Sequence, residues 1–412
     1  MRLLAYAGRG GALSLAAHRE CAGDRTARRG AELIDAVARA GLRGRGGAAF
    51  PTAVKMRAVA ARRGRHALVI NGAEGEPMST KDRALLELAP HLVLDGALLV
   101  AEAIGARDIV LAVKRSAWAS GEAVVRALAE RRDARGVRLE LVPDAYLSGE
   151  ESALLQALNG GPAKPTLVPP RPYERGLARR PTLVANVETL AHVALIARHG
   201  ADWFREVGTQ EHPGSALVTV SGAVAQPGVY EVALGAPIAD VIAGAGWGGE
   251  WRAALIGGYY GSWLSARDAG SARLDNASLR ARGGSVGAGV VVALPVEACP
   301  AAEVARVVRW MADENAGQCG PCVHGLEAIA ATVAALAAGT AARDTSRRLE
   351  RWSGQVDGRG ACHHPNGVVR FVRSALAVFA DELDDHRQHG PCSACSRPPV
   401  LAVPDLRMQR AA

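Results

Sequence analysis

The chain has 412 residues, 49% of them hydrophobic, with 49 Lys+Arg against 41 Asp+Glu; this excludes wholesale disorder and allows roughly two to four packed domains. Its formal net charge of +8 comes from only four lysines and 45 arginines, scattered among alanines and not gathered into a basic stripe. With aromatics at 4% there is little for a base-stacking platform, and no nucleic-acid partner is expected.

In chain order, residues 31–40 have helical apolar spacing and run into a glycine-rich loop at 41–49. His66–Asn71 is a short apolar run ending at Asn-Gly, which suits a buried strand. Helical spacing over 90–104, a strand at 108–113, a helix at 120–132 and a strand at 136–142 follow. This alternation predicts an α/β layer domain with a partly parallel sheet, ending near residue 205. Alternating apolar and polar residues at 216–228 and 229–238, with a further strand at 286–295, predict a small β-rich domain over 206–297. From 301 the pattern is helical at 304–313, 325–336, 341–356 and 366–383, which predicts a four-helix bundle. The tail, 386–412, holds Cys392 and Cys395 among prolines and is expected to be flexible. No run reaches the ~20 apolar residues of a membrane span, and Met1–Leu15 lacks a clean cleavage signal. A cytoplasmic protein is expected.

Four blocks could carry chemistry. In Gly41-Leu-Arg-Gly-Arg-Gly-Gly-Ala-Ala-Phe-Pro51, the glycines at 44, 46 and 47 let main-chain amides approach a phosphate, Pro51 suits the first turn of a helix, and Lys55 adds a point charge. Asn71-Gly-Ala-Glu74-Gly-Glu76, with Lys81-Asp82-Arg83, follows a strand, where open α/β sheets bind ligands; a solvated capping loop is the alternative. Tyr146-Leu-Ser-Gly-Glu150-Glu151 and Asn186-Val-Glu188-Thr189 place acids at helix starts, where they often serve the macrodipole alone. Cys319-Gly-Pro-Cys322 with Cys362 forty residues on can hold an iron–sulfur cluster or zinc. Five of the seven cysteines lie in the last hundred residues, a clustering that favours ligation over a disulfide scaffold.

These blocks, in this order, resemble the NADH-binding flavoprotein subunit (F-subunit) family of NADH:quinone oxidoreductases, and look similar to the corresponding FMN/iron–sulfur subunits of NAD-linked formate dehydrogenases and hydrogenases. The resemblance covers about residues 40–385. It implies a Rossmann-like FMN domain within 1–205, a β-grasp domain over 206–297 and a four-helix iron–sulfur domain over 298–385. It also implies hydride transfer from NADH to FMN, then single electrons to a 4Fe-4S cluster. By position, Gly44, Gly46, Gly47, Lys55, Asn71, Glu74, Tyr146, Glu150, Glu151, Asn186 and Thr189 would surround FMN. Phe50, Glu76 and Glu151 would face NAD(H), with Glu76 and Glu151 nearest the chemistry. Cys319, Cys322 and Cys362 would ligate the cluster. The implied partners are NADH, a ferredoxin or thioredoxin-like 2Fe-2S subunit and a larger membrane-associated redox complex, with the chain itself peripheral to the inner membrane through those partners.

Departures from the family pattern bear on each site. The first cysteine of the cluster motif is Ala316, leaving three thiolates where four are usual. A three-iron form, a fourth ligand from His363 or from the Cys392/Cys395 pair, and no cluster at all are the alternatives. Met56 and Ala58 stand where aromatics usually follow the lysine, which weakens adenine stacking. Ala73 and Ala49 replace an Asp and the last loop Gly. An electron relay without NADH turnover and a zinc-stabilised binding protein are the alternative functions.

Overall fold

The expected α/β layer is built on four parallel strands: β1 (His66–Gly72), β2 (Ala106–Lys114), β3 (Val137–Val142) and β4 (Thr182–Asn186). A computed structural model describes residues 2–8, 10–23 and 28–404. Side chains alternate along each strand, so Leu68 and Ile70 enter one core while Ala67 and Val69 enter another. Both faces are covered, as a parallel sheet requires. The first face packs on helices Pro90–Ile104 and Val187–His199, which cross so closely that a Cβ at Gly96 would collide with the Leu190 carbonyl. Sheet order is β3-β2-β1-β4. The chain therefore reverses its direction of travel between β1 and β4, opening a crevice at their carboxyl ends. Nothing in the sequence announces β4, because its five residues follow a proline-rich stretch and carry too short a period to read.

The second sheet has β5 (Ser215–Gly222), β6 (Gly228–Ala233), β7 (Trp251–Ile256), β8 (Ser262–Ser265) and β9 (Val290–Pro295), in the order β8-β7-β9-β5-β6. β5 and β9 are parallel and the other neighbours antiparallel. With helix Ile238–Gly244 between β6 and β7, this is the β-grasp arrangement. Strict alternation again divides its faces. Leu255, Val290, Val292 and Leu294 face the C-terminal helices, while Ala254, Ile256, Val291 and Ala293 face the domain's own small helices.

The helical region comprises Pro300–Asp313, Glu327–Ala337, Thr345–Val356, His364–Val378 and Ala380–His389. The helix expected over 366–383 is broken at Phe379, whose φ of −113° and ψ of 30° leave helical geometry. Its ring is buried 5.1 Å from that of Trp263, so packing fixes the bend. The segment after 386, expected to be loose, is docked: Leu401 is fully buried and the Val400 and Leu401 amides donate to Glu303 at 2.7 and 3.1 Å. Residues 405–412 of that expected tail lie outside the described residues. Among the described residues no single helix is long and apolar enough to cross a membrane; the apolar pair Lys81–Leu88 and Pro90–Ile104 is bent by 95°.

Candidate functional site

Asn71 and Asn186 end β1 and β4 and are register partners at the crevice. Asn71 Nδ2 donates to the Gly149 carbonyl at 2.9 Å, and its Oδ1 accepts the Ala73 amide at 3.1 Å. Asn186 caps helix Val187–His199, its Oδ1 accepting the Glu188 amide at 3.0 Å. The glycine-rich loop lies over this point. The Arg45 amide donates to Thr189 Oγ1 at 2.9 Å, and a Cβ at Gly46 would stand 3.4 Å from that of Asn186. Gly47 has a φ of +107°, a conformation that suits glycine, while Ala49 sits at +50°, in the left-handed region. Blocks more than a hundred residues apart thus converge on one strand-end crevice.

Beneath the loop is a buried charge network. Lys81 Nζ lies 2.6 Å from Asp82 Oδ1 and 2.8 Å from Glu188 Oε2. Asp82 Oδ2 accepts from Asn186 Nδ2 at 2.6 Å, Glu188 Oε1 accepts the Leu217 amide at 2.9 Å, and Arg45 Nε approaches the same oxygen at 3.8 Å. Two cations face two carboxylates, and the His192 ring is buried beside them with its pKa lowered by that burial. Burial works to raise the Glu188 carboxyl, but Lys81, His192 and Arg45 outweigh it and hold it at about 2. Sequence reasoning assigns no role to Glu188 or Arg45. The available signal was a Lys-Asp pair in a chain with only four lysines.

The acids of the second and third blocks divide by environment. Glu74 is internal, accepting Ser79 Oγ at 2.6 Å and the Asp82 amide at 3.2 Å. Glu76 is also turned inward: its Oε2 accepts the Tyr259 amide at 2.8 Å and the Tyr146 hydroxyl at 3.2 Å. Burial pushes its carboxyl up to about 7, against the pull of the Tyr259 and Met78 amides and the Tyr146 hydroxyl. Glu150 caps helix Glu151–Leu158 through one oxygen, which accepts the Ser152 and Ala153 amides at 3.0 and 2.9 Å. Glu151 stays at the opening, paired with Lys55 Nζ at 2.7 Å, both about a third exposed.

Along helix Thr52–Ala60 the buried residues are Thr52, Ala53, Met56 and Val59. Met56 therefore belongs to the core, and its replacement of an aromatic removes nothing from the opening. Phe50 and Val54, each 48% exposed, supply the apolar surface there. Thr52 Oγ1 is buried without a hydrogen-bond partner among the described residues. A loop with glycines at 44, 46 and 47, an orphaned hydroxyl at a helix start, an adjacent lysine and exposed apolar surface fit a phosphate-bearing planar ligand such as FMN.

Cys319, Cys322 and Cys362 come together where a π-turn, Pro321–Leu326, opens helix Glu327–Ala337. Cys322 is buried, with the Cys319 and Cys362 sulfurs within electrostatic reach of its own. Burial pushes the Cys322 thiol up to about 12, and the Cys319 and Cys362 sulfurs add to the rise. Three sulfurs gathered at the opening of one helix fit an iron–sulfur group. Ala316 is buried beside them and offers no thiol. The alternatives for the fourth position narrow. Both nitrogens of His364 are engaged, with Tyr260 OH at 2.6 Å and the Met311 carbonyl at 2.8 Å, while His363 is exposed. Cys392 and Cys395 lie with Cys299 and His386, so the pair considered as a source of that ligand is committed elsewhere.

Crevice and thiols are joined by one aromatic wall. The Tyr146 ring packs edge-on against Tyr260 and Trp310, at 5.0 and 5.1 Å between centroids. Tyr260 lies within electrostatic reach of Cys362, Cys322, Glu76 and Glu150. Tyr259 and Tyr260 stand in no sequence motif, and only their place after β7 brings them here.

Family models for a Nuo51 FMN-binding domain, an SLBB domain and the NADH-ubiquinone oxidoreductase-F iron-sulfur binding region match residues 37–195, 217–258 and 302–386. The chain is 31% identical over 378 residues to an NADH-quinone oxidoreductase F-subunit of Rhizobium meliloti (strain 1021), covering 88% of this chain and 90% of the relative. It is 32% identical over 372 residues to the NADH-quinone oxidoreductase F-subunit of Streptomyces coelicolor, covering 86% and 83%. A crystal structure of an NAD+-reducing NiFe hydrogenase in the air-oxidized state matches with a TM-score of 0.83 and 34% identity, over 93% of this chain and 67% of that one.

Proposed function

The chain belongs to the family of NADH-quinone oxidoreductase F-subunits, and on that premise we propose that it takes hydride from NADH onto FMN and passes electrons singly, through an iron–sulfur group, to a partner protein. The observation that carries this reading is the pair of packed rings, Tyr146 and Tyr260 at 5.0 Å, standing between the strand-end crevice and the three clustered thiols. FMN, when bound, supplies the conversion of a two-electron donor into single-electron transfers.

The chain's own residues bind and orient. Main-chain groups at Gly46 and Gly47 and the first turn of helix Thr52–Ala60 receive the phosphoryl end, while Gly44 shapes the loop with its amide on the Phe50 carbonyl at 2.9 Å, and Lys55 exchanges Glu151 for phosphate. Asn71, Tyr146, Glu150, Asn186 and Thr189 form the walls, and Glu74 holds the loop between them. Phe50 and Glu151 stand at the opening to meet the dinucleotide, and Glu76 fixes the Tyr259 loop that closes the opposite side. Cys319, Cys322 and Cys362 hold the iron–sulfur group, leaving one corner to His363 or solvent. The units 1–205, 206–297 and 298–385 correspond to these tasks. The acceptor is a ferredoxin or thioredoxin-like 2Fe-2S subunit, and the chain works in the cytoplasm, meeting a membrane only through partners.

The test is the anaerobic visible and EPR spectrum of flavin- and iron-reconstituted protein before and after NADH. Bleaching of the flavin band followed by a reduced-cluster signal is expected. A second reading, relay without NADH turnover, is favoured by Ala58 on a helix whose exposed positions, Val54, Arg57 and Ala60, carry no aromatic ring. It predicts reduction by reduced ferredoxin and none by NADH. A sample that refuses FMN altogether would sink both readings.

A further inference from the structure

Four donor atoms that the flavin and thiol chemistry leaves unused converge beside the end of helix Ala380–His389. They belong to Cys299, His386, Cys392 and Cys395, and all lie within 4.8 Å of one another. We propose that these residues bind a single zinc ion, separate from the iron–sulfur site, which clasps the C-terminal strap against the helical unit.

Tetrahedral zinc with Zn–S of about 2.3 Å and Zn–N of about 2.0–2.1 Å sets its sulfurs about 3.8 Å apart and each sulfur about 3.6 Å from the nitrogen. The observed separations are 3.8 Å for Cys392 to Cys395, 3.4 Å for Cys299 to Cys395, 3.6 Å for Cys299 to His386 Nε2 and 4.0 Å for Cys395 to the same nitrogen. Donors this close leave room for one ion and none for a cube of iron and sulfide. Three thiolates and one imidazole are a ligand set that structural zinc favours.

The surroundings are arranged for ligation as well. His386 Nδ1 lies 2.9 Å from the Ala337 carbonyl, so it carries the proton and leaves Nε2 as an acceptor on the side of the strap, where the Cys392 amide lies 3.4 Å away beside the thiols. Cys299 caps helix Pro300–Asp313, its sulfur accepting the Ala302 amide at 3.4 Å, which fixes where that sulfur points. Cys299 and His386 are buried on the helical unit, whereas Cys392 and Cys395 come from the strap.

The strap gives the ion its purpose. Seven residues beyond Cys395, the Ala402 carbonyl accepts the Tyr259 hydroxyl at 2.5 Å and the Ala402 amide meets Met78 Sδ at 3.0 Å. Tyr259 is the residue whose amide holds Glu76. Fixing Cys392 and Cys395 therefore holds the chain that backs the crevice wall.

The test measures metal content and hydrogen exchange on the full chain, loaded with FMN and iron. One zinc per chain is expected, with three sulfurs and one nitrogen by X-ray absorption. The Cys319→Ser/Cys322→Ser/Cys362→Ser variant should keep that zinc, which excludes adventitious metal at the iron site. Cys392→Ser/Cys395→Ser should lose it more than tenfold while retaining iron. Stripping zinc should speed exchange of the Val400 and Leu401 amides at least tenfold. Iron in place of zinc, a Cys392–Cys395 disulfide in anaerobically prepared protein, zinc that follows the Cys319/Cys322/Cys362 set, or unchanged exchange after stripping would each overturn the proposal.

Discussion

Replacing Lys81 by Met tests whether the buried charge network holds the crevice together. The substitution removes the cation that faces Asp82 at 2.6 Å and Glu188 at 2.8 Å. Deleting one partner of a buried pair costs about 3–5 kcal/mol. Here Asp82 keeps Asn186 Nδ2 at 2.6 Å, and Glu188 keeps the Leu217 amide at 2.9 Å and Arg45 at 3.8 Å. The lower end, ~3 kcal/mol, is therefore expected. A chain of several units need not unfold in one step, so the assay is native-state hydrogen exchange of the Val69 and Ile70 amides in β1, which reads the α/β unit by itself. Their exchange should accelerate roughly a hundredfold, as ~3 kcal/mol implies. Adding Asp82→Asn should return about 1–2 kcal/mol, because the two residues are in direct contact. The Glu188 carboxyl is depressed to about 2 from 4.5, Lys81 and its neighbours outweighing burial. Its contribution is complete above 4.5 and fades as the pH falls toward 2; in the variant, with the folded value drawn back toward 4.5, that fading is smaller and ends at higher pH. A loss below ~1 kcal/mol would refute the reasoning, since a buried pair left half-occupied cannot be that cheap.

Three further outcomes follow from the same geometry. Glu76 holds its proton up to about 7 when folded and releases it near 4.5 when unfolded, so stability should fall as pH rises through that window, by at most ~3 kcal/mol. Glu76→Gln should flatten that slope in thermal melts between pH 5 and 8, and parallel slopes would contradict the burial argument. Ala316→Cys should raise iron retained per reconstituted chain and convert any three-iron EPR signal to a four-iron one; unchanged iron content would show that position 316 does not face the metal. Ala49→Gly relieves a φ of +50° and should stabilise the α/β unit by about 0.5–1 kcal/mol; a lower exchange barrier in the variant would refute the strain.

Local chemistry is the part legible in the sequence. The apolar run at His66–Ile70, the helix stop at Gly41 and the acids entering Glu151–Leu158 can be read because each depends on neighbours in the chain. What stays hidden is carried by distance along it. Lys81 and Glu188 are 107 residues apart, and Cys299 and His386 are 87 apart, so no spacing rule joins them. Met56 looks like a cleft residue while its motif is taken as a line, and the helix's period of 3.6 turns it to the core. The tail looks loose from its prolines, although Leu401 is an apolar residue with a core to enter.

The five-stranded sheet offers no bare face. Among the described residues, one side is covered by the C-terminal helices and the other by its own. It works as a keystone. Its Leu217 amide grips Glu188 beneath the crevice while its opposite strands pack on the C-terminal helices, so any shift of this sheet would be felt at both ends of the molecule.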